Sequence, residues 1–214
     1  MSTAITFEKI RAALINVSEE LDKNKQYFND LDSPIGDSDH GDSVCSAFKK
    51  VAEVASGYND SKNDIGDLLK AVGRAIVFSS GAAMGPLYGT AFTEAGKIVT
   101  GKTEITFEDF VKMWVAFVMG IEKRGNVKVG EKTMYDTIRP GVDALEAGFS
   151  NGKTMKEACD LAIKAAENGM NSTKDMLSLR GRSSRLGERS LGHIDPGSAS
   201  MYTIISTFFK TIVG

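Results

Sequence analysis

Apolar residues recur every three or four positions along most of this chain, which is the spacing of α-helices that bury one face. Strand-like alternation is confined to residues 105–107 and 203–209, and the second run is interpreted as helix because the chain before it is helical. The spacing predicts helices over 6–24, 43–56, 64–79, 86–99, 106–125, 133–147, 154–169, 171–179 and 198–212. The sequence therefore predicts an all-α protein of about eight helices.

Several helix ends are marked by individual residues. Thr106 with Asp109, and Thr154 with Glu157, have the spacing of capping boxes, in which two side chains satisfy each other's backbone N–H groups. Pro140 has no backbone N–H, so it predicts a kink or a break in the helix that contains it.

Length and composition define the class of protein. A chain of 214 residues can bury one sizeable core, which favours a single domain over 1–214. The net charge of −2 argues against nucleic-acid binding, and the longest apolar stretch, 114–121, is too short to cross a membrane. Cys45 and Cys159 lie far apart, as free thiols in a reducing compartment do, and no signal-peptide pattern opens the chain. We expect a cytoplasmic protein with no nucleic-acid or membrane partner.

An acidic loop stands out against this helical background. Five aspartates fall within residues 30–42, and no Lys or Arg lies between Lys25 and Lys49. Pro34 and Gly36 keep this stretch out of regular helix, so neighbouring carboxylates can converge on one point. The candidate ligands are Asp32, Asp37 and Asp39. Hard oxygen ligands favour Mg²⁺ or Ca²⁺ over zinc, and the alternative is a solvated acidic turn that caps the next helix through Asp42 or Ser43.

The spacing of the acidic loop excludes one calcium site. An EF-hand that started at Asp37 would place Gly41 at its fifth position and Phe48 where the bidentate Glu belongs. Starting at Asp32 places Ser43 there instead. Because Mg²⁺ completes its shell with water and phosphate oxygens, the loop suits a metal-bound nucleotide.

Complementary positive charge lies near the C-terminus, in the stretch LRGRSSRLGERSLGHIDPG. It holds four arginines: Arg180, Arg182, Arg185 and Arg189. Guanidinium groups recognise phosphate oxygens, although exposed arginines kept for solubility are the alternative, above all at Arg180 and Arg185. The two histidines of the chain, His40 and His193, also fall in these Gly- and Asp-rich loops, which suggests site residues.

A third loop, GNVKVGEKT at 125–133, resembles the Walker A pattern. Glu131 separates Gly130 from Lys132, and the loop follows a helix rather than a strand. These departures argue against a P-loop NTPase and leave contact with phosphate or nucleotide open. The residues alone thus predict a helical protein that binds a magnesium nucleotide through its loops.

Four ordered motifs across most of the chain resemble the nucleotide-binding L subunit of dihydroxyacetone (glycerone) kinase. The motifs are LDSPIGDSDHG, SSGAAMGPLYGTAF, GEKTMYDTIRP and GRSSRLGERSLGHIDPGSAS. The resemblance implies an antiparallel barrel of eight α-helices with the nucleotide in loops at one rim. It also implies two Mg²⁺ ions held between three aspartates and the phosphates.

The resemblance also implies roles for individual residues. Metal ligands would be Asp32, Asp37 and Asp39. Residues that bind ADP or ATP would be His40, Gly41, Asp42, Ser43, Ala83, Met84, Gly125, Met134, Arg182, Asp195, Pro196 and Gly197. Arg182 would in addition be catalytic, by stabilising the charge of the transferred phosphoryl group.

The family's reaction passes the γ-phosphate to dihydroxyacetone, which a separate K subunit holds through a histidine. Because the chain ends at residue 214 without a substrate domain, it resembles the split bacterial form. In that form ADP stays bound and is rephosphorylated from phosphoenolpyruvate by a phosphotransferase-system M subunit. The resemblance leaves open a homodimer, free ATP as donor, another ketose or an acyl group as acceptor, and a nucleotide sensor without transfer activity.

The sequence departs from the family's usual pattern at five positions. Met84 replaces a small Ser, Ser43 replaces Asn, Val44 replaces Met, Glu131 replaces Asp, and Arg185 replaces an aromatic residue. None of these changes removes a metal ligand. We expect the first two to affect nucleotide affinity and Arg185 to affect the surface that meets a partner.

Overall fold

The computed structural model describes residues 4–59, 62–79 and 84–214, and within these ranges the chain is almost wholly helical. The α-helices are α1 (Phe7–Lys23), α2 (Lys25–Asp32), α3 (His40–Gly57), α4 (Ile65–Ser79), α5 (Met84–Ile98), α6 (Phe107–Gly125), α7 (Tyr135–Ser150), α8 (Met155–Ser172) and α9 (Pro196–Val213). Two 3₁₀ segments, Thr173–Asp175 and Ser183–Ser190, lie between α8 and α9. Strands β1 (Ile5–Thr6) and β2 (Glu104–Ile105) form one antiparallel pair. The all-α prediction is confirmed.

The helices pack in a ring. α1 packs against α3, each helix from α3 to α8 packs against the next, and α9 returns to α1. Helix α2 lies outside this order, against α3 and α9. Eight helices thus follow one another around a common core.

Glycines set the distance between some of these neighbours. A Cβ atom on Gly66 of α4 would lie 2.5 Å from the carbonyl oxygen of Gly96 in α5, and one on Gly73 would lie 2.8 Å from that of Gly89. Higher numbers in α4 meet lower numbers in α5, so these two helices run antiparallel. Larger residues at these positions would force the helices apart.

The caps and the C-terminal helix follow the sequence predictions. Both capping boxes, at Thr106 and Thr154, are present with their reciprocal hydrogen bonds, and residues 203–209 lie in α9. Pro140 lies inside α7 without ending it. The predicted kink or break is therefore wrong where it meant a break.

One helix was not predicted by the sequence pattern. The segment predicted as one helix over 6–24 ends at Lys23, and α2 follows directly. At the junction the Asn24 side chain donates a hydrogen bond to the carbonyl oxygen of Glu20 at 2.8 Å. Such bonds compete with the helical ladder, which explains why the helix restarts here.

The predicted helix over 171–179 is wrong. Helix α8 continues to Ser172, one 3₁₀ turn follows, and the described chain is not helical again until Ser183. The ammonium of Lys132 accounts for this, because it donates hydrogen bonds to the carbonyl oxygens of Thr173 (2.8 Å) and Met176 (3.3 Å). Carbonyls engaged in this way are directed toward the lysine rather than along a helix axis.

Apolar and aromatic side chains fill the ring. Phe92 of α5 meets Phe117 of α6 edge to face at 5.1 Å between ring centroids, and Trp114 packs on Phe208 of α9 at 5.3 Å. Aromatic contacts between neighbouring helices stabilise the core beyond the burial of their area. Within the described ranges, none of the helices has the length and apolarity needed to cross a bilayer.

Candidate functional site

A cavity of about 740 Å³ opens where several of these helices begin or end. Its walls come from the loop 32–39, the starts of α3, α5 and α9, the end of α6, and the loops 127–134 and 180–183. The volume is that of a small-molecule site. The acidic loop, the loop 125–133 and the arginine-bearing stretch therefore contribute to one cavity, together with the described part of the motif SSGAAMGPLYGTAF.

The acidic loop contributes three converging carboxylates. Asp32, Asp37 and Asp39 each place one oxygen so that the three atoms lie within 4.8 Å of one another. Asp32 is buried at the end of α2, and the other two are exposed. Ser38, with a φ of 63°, turns the chain between them, and the backbone N–H of Asp39 donates to the Asp32 carboxylate at 3.1 Å.

The donor set fits a hard divalent cation. Ligand oxygens around one Mg²⁺ lie roughly 3 to 4 Å apart, because each sits at about 2.1 Å from the ion. The three carboxylates are close to that spacing, and the two exposed ones are free to close it by side-chain rotation. No imidazole or thiolate belongs to the cluster. The residues present therefore fit Mg²⁺ or Ca²⁺ and do not favour zinc.

Gly36 shapes the acidic loop. A Cβ atom at this position would lie 2.0 Å from one carboxylate oxygen of Asp32. Any other residue would push that carboxylate out of its place, since real Cβ contacts are never so short. A glycine is thus required for the loop to fold over the buried ligand.

Arg182 lies directly across from the acidic loop. Its guanidinium forms an ion pair with Asp37 and lies 3.9 Å from a carboxylate oxygen of Asp39. The side chain is 66% exposed, so it is free to change partners. The structure therefore brings the arginine-bearing loop and the acidic loop together at one face of the cavity.

His40, the first residue of α3, is tied to α9. Its Nε2 atom lies 2.9 Å from the hydroxyl of Ser200, and that hydroxyl donates in turn to the carbonyl oxygen of Gly197 at 3.1 Å. Burial lowers the pKa of His40 to about 4, and the imidazole is neutral at pH 7.

This shift makes the nucleotide-free protein less stable in mild acid. Unfolding restores the ordinary pKa of His40, so the unfolded chain binds more protons between about pH 6.5 and pH 4, and stability is lost as the pH falls through that window. Between about pH 7.5 and pH 5 the wild type should lose about 2 kcal/mol more than His40→Gln. Urea unfolding of both proteins at the two pH values measures this, and equal losses would contradict the assignment.

Gly41 and Asp42 point away from the cavity, toward α2. Asn29 accepts the backbone N–H of Gly41 at 2.7 Å and donates to the Asp42 carboxylate at 2.9 Å. Lys25 pairs with the same carboxylate at 2.5 Å, and its hydrogen bond lowers the pKa of Asp42. These two residues fix the start of α3 in this structure, and a direct contact with nucleotide stays a prediction for them.

The remaining predicted nucleotide-binding residues lie around the cavity, with one exception. Those that line it are His40, Ser43, Met84, Gly125, Met134, Arg182, Asp195, Pro196 and Gly197. Ala83 lies outside the described residues.

Asp195 begins α9 at the far wall of the cavity. Its carboxylate accepts the backbone N–H of Ser198 at 2.7 Å, and its own N–H donates to the hydroxyl of Thr173 at 3.0 Å. Burial raises the pKa of Asp195 to about 6, against the cap bond and nearby Lys132, which both lower it. In the first turn of α9 Pro196 has no N–H and Asp195 accepts those of Ser198 and Ala199, so the N–H of Gly197 is the one left to face the cavity, where it suits an anion.

Sequence reasoning missed the contacts within the loop 126–134. Arg180 forms two hydrogen bonds to the Glu131 carboxylate, both 2.9 Å, and donates to the carbonyl oxygen of Asn126 at 2.7 Å. This pairing is the role of Arg180, rather than solubility. Asp136, at the start of α7, accepts the N–H groups of Gly130 and Thr133. Lys132 of the Walker-like loop points inward instead of toward the cavity mouth. The opposite charges of Glu131 and Arg180 were the one signal available in the sequence.

The sequence is also similar to those of known proteins. Residues 34–210 match the model of the DAK2 domain. The chain belongs to the DAK2 domain family. A Listeria innocua protein named PEP-dependent dihydroxyacetone kinase 1, ADP-binding subunit DhaL, is 37% identical over 201 residues, 94% of each chain. The corresponding ADP-binding subunit DhaL of Escherichia coli K12 is 37% identical over 176 residues, 82% of this chain and 83% of that one. The resemblance to the L subunit is confirmed.

Solved structures share the fold of this DAK2 domain. The dihydroxyacetone kinase of C. freundii in its native form superimposes with a TM-score of 0.73 at 21% identity, over 94% of this chain and 34% of that one. The same kinase in complex with AMP-PNP and Mg²⁺ gives a TM-score of 0.70 at 22% identity, over 94% and 33%. The DAK2 chain thus spans about a third of that kinase.

Proposed function

We propose that this DAK2 chain is the ADP-binding, phosphoryl-donating subunit of a dihydroxyacetone kinase. The main observation in favour is that Asp32, Asp37 and Asp39 converge opposite Arg182 at a cavity large enough for a nucleotide. Relatives that cover most of the chain carry the name ADP-binding subunit, which supports the same function. The domain with this function would comprise residues 1–214.

Two Mg²⁺ ions would be held by the three aspartates together with nucleotide phosphates. Bound Mg²⁺ neutralises phosphate charge and orients the transferred group. The chain's own residues have distinct tasks. Arg182 donates hydrogen bonds to phosphate oxygens and stabilises their developing charge, which makes it the catalytic residue. His40 and Ser43 at the start of α3 and the backbone N–H of Gly197 at the start of α9 would face the same phosphates, and Gly125 and Met134 would lie against the adenine.

Transfer would require partners, because this proposal assigns the aspartates and Arg182 of the cavity to metal and phosphate. A K-type subunit would bind dihydroxyacetone, and an M-type phosphotransferase-system subunit would rephosphorylate the bound ADP from phosphoenolpyruvate. The names of relatives support this source of phosphate, since those from Listeria innocua and Lactococcus lactis are called PEP-dependent and PTS-dependent kinases. The product would be dihydroxyacetone phosphate.

A reconstituted assay tests the proposal. The purified chain is combined with K and M subunits, and phosphorylation of dihydroxyacetone is followed with either phosphoenolpyruvate or free ATP as the only donor. We expect transfer from phosphoenolpyruvate only when M is present, with about one ADP retained per chain. Transfer from ATP without M would reject the phosphotransferase route, and absence of nucleotide and metal from native protein would reject the site.

The acceptor has a specific alternative. A Mycolicibacterium smegmatis relative named L-erythrulose 1-kinase is 31% identical over 179 residues, although this chain covers only 31% of it. Erythrulose differs from dihydroxyacetone by one carbon, and the acceptor would sit on the partner subunit. The assay should therefore include erythrulose, and faster transfer to it would replace dihydroxyacetone in the proposal.

A further inference from the structure

Lys132 has no part in the phosphoryl transfer described above, yet its environment is unusual. Among the residues that the structure describes, it is the one lysine or arginine with a buried side chain, at 1% exposed. Its ammonium donates to the backbone carbonyl oxygens of Thr173 (2.8 Å), Ser190 (2.7 Å) and His193 (2.6 Å), with that of Met176 at 3.3 Å. An ammonium has three N–H donors, so this shell satisfies it completely.

The carbonyls that surround the ammonium come from both sides of one loop. Thr173 and Met176 precede residues 177–189, here called the Arg182 loop, and Ser190 and His193 follow it. Both ends of the Arg182 loop are therefore fixed to one buried cation. A loop closed at its base in this way has far fewer conformations than one free at either end.

The neighbours of Lys132 hold the same loop. The Glu131 carboxylate accepts two hydrogen bonds from Arg180, and the backbone carbonyl oxygen of Glu131 accepts the N–H of Leu179 at 3.2 Å. Thr173 links the shell to α9, because its hydroxyl accepts the N–H of Asp195 at 3.0 Å. The backbone of Lys132 has a φ of +60°, a conformation that lysine adopts only where surrounding contacts enforce it.

We propose that Lys132 is a positioning residue whose buried ammonium serves as a fixed internal cation, holding both ends of the Arg182 loop so that Arg182 faces Asp37 and Asp39. The inference that this ordering supports nucleotide binding rests on the proposed function. The ordering itself does not. Without the cation, several buried carbonyl oxygens would lose their partner, and the loop would open.

Hydrogen exchange of the nucleotide-free protein tests the ordering directly. Lys132→Met keeps the stem and removes the charge. Exchange should become about tenfold faster or more for the amides that the loop base protects, because each lost bond to a charged group is worth that factor or more. The amides are those of Met176, Ser178, Leu179 and Gly192. Lys128→Met, an exposed position in the same loop, is the matched control and should change nothing. Unchanged exchange in Lys132→Met would overturn the proposal.

A rescue experiment separates the ammonium from the stem. In Lys132→Ala the carbonyl shell is left with space for a small cation. Ammonium chloride should restore the lost protection, whereas tetramethylammonium chloride at equal ionic strength should not, because it donates no hydrogen bond. Equal exchange in the two salts would overturn the role of the cation.

Two further measurements keep the outcomes distinct. If the variants fail to fold, the wild type can be studied by ¹⁵N NMR of its lysine ammonium groups. Slow exchange of the Lys132 ammonium hydrogens with water would support the carbonyl shell. Absence of such a signal, while other lysine signals are detected, would contradict it. Titration with Mg²⁺ and ADP should show affinity weakened severalfold in Lys132→Met, within the roughly tenfold limit expected for loss of Arg182 itself. A wild type that binds no ADP would reject the proposed function and leave the exchange result standing.

Discussion

Replacing Asp37 by asparagine should abolish the retention of ADP and Mg²⁺ by the purified protein. The substitution keeps the size of the side chain and removes one of three carboxylates whose oxygens lie within 4.8 Å of one another. Substituting even an outer partner of a metal ligand costs up to about a hundredfold in affinity, so loss of a ligand charge should cost at least that much. Nucleotide and magnesium analysis of protein purified without added ADP measures the effect.

The fold should not be affected by this change. Asp37 is exposed, and its ion pair with Arg182 contributes at most about 1 kcal/mol, as surface pairs do. Asp30→Asn is the matched control, since Asp30 belongs to the same acidic stretch but accepts a hydrogen bond from Gln26, away from the cluster. Equal ADP content in the two variants would show that the acidic loop is a solvated turn, the alternative that the sequence left open.

The acidic and arginine-bearing loops could be found from the sequence because their chemistry is local. Five acids without a neighbouring base are visible over thirteen residues, and an arginine cluster elsewhere supplies the complementary charge. Only the structure shows which carboxylate each arginine pairs with. Arg182 reaches Asp37, whereas Arg180 is used by Glu131, and spacing along the chain does not distinguish these two arginines.

Other parts of the site depend on residues far apart in the sequence. His40 is held by Ser200, 160 positions away, and its lowered pKa comes from burial, which single-sequence reasoning does not give. The sequence pattern placed Lys132 in a Walker-like loop that could contact phosphate. In the structure its ammonium instead donates hydrogen bonds to backbone carbonyls 41 to 61 positions further along the chain. These contacts exist only once the helices have packed.

The fold shows the same division between local and tertiary causes. Helices with apolar periodicity and capping residues, such as α6, begin and end where the sequence predicts. The predicted helix over 171–179 failed because its carbonyls bind Lys132, a tertiary contact that overrides local preference. Helix α2 was missed for a different reason, because only Phe28 and Asp32 of it are buried and so few inward positions leave no apolar period to recognise.

Arg182→Gln should reduce phosphoryl transfer by roughly a thousandfold while retention of ADP falls by less than about tenfold. The structure explains why the two effects should separate. The guanidinium is 66% exposed and lies against the carboxylates of Asp37 and Asp39, which are the candidate metal ligands. It is therefore placed to meet the terminal phosphate and contributes little to holding the nucleoside. Charge developing on that phosphate is where a guanidinium acts most strongly.

Arg185→Gln provides the control for this last prediction, because Arg185 is an exposed arginine of the same loop that lies outside the cavity wall. Single-turnover transfer from the phosphorylated nucleotide to the acceptor on the K subunit, measured alongside ADP content, separates binding from chemistry. Should Arg182→Gln lose ADP yet transfer phosphate normally from the nucleotide that remains, Arg182 would be a binding residue only. Since Arg182 also pairs with Asp37, the Asp37→Asn and Arg182→Gln effects should not be additive.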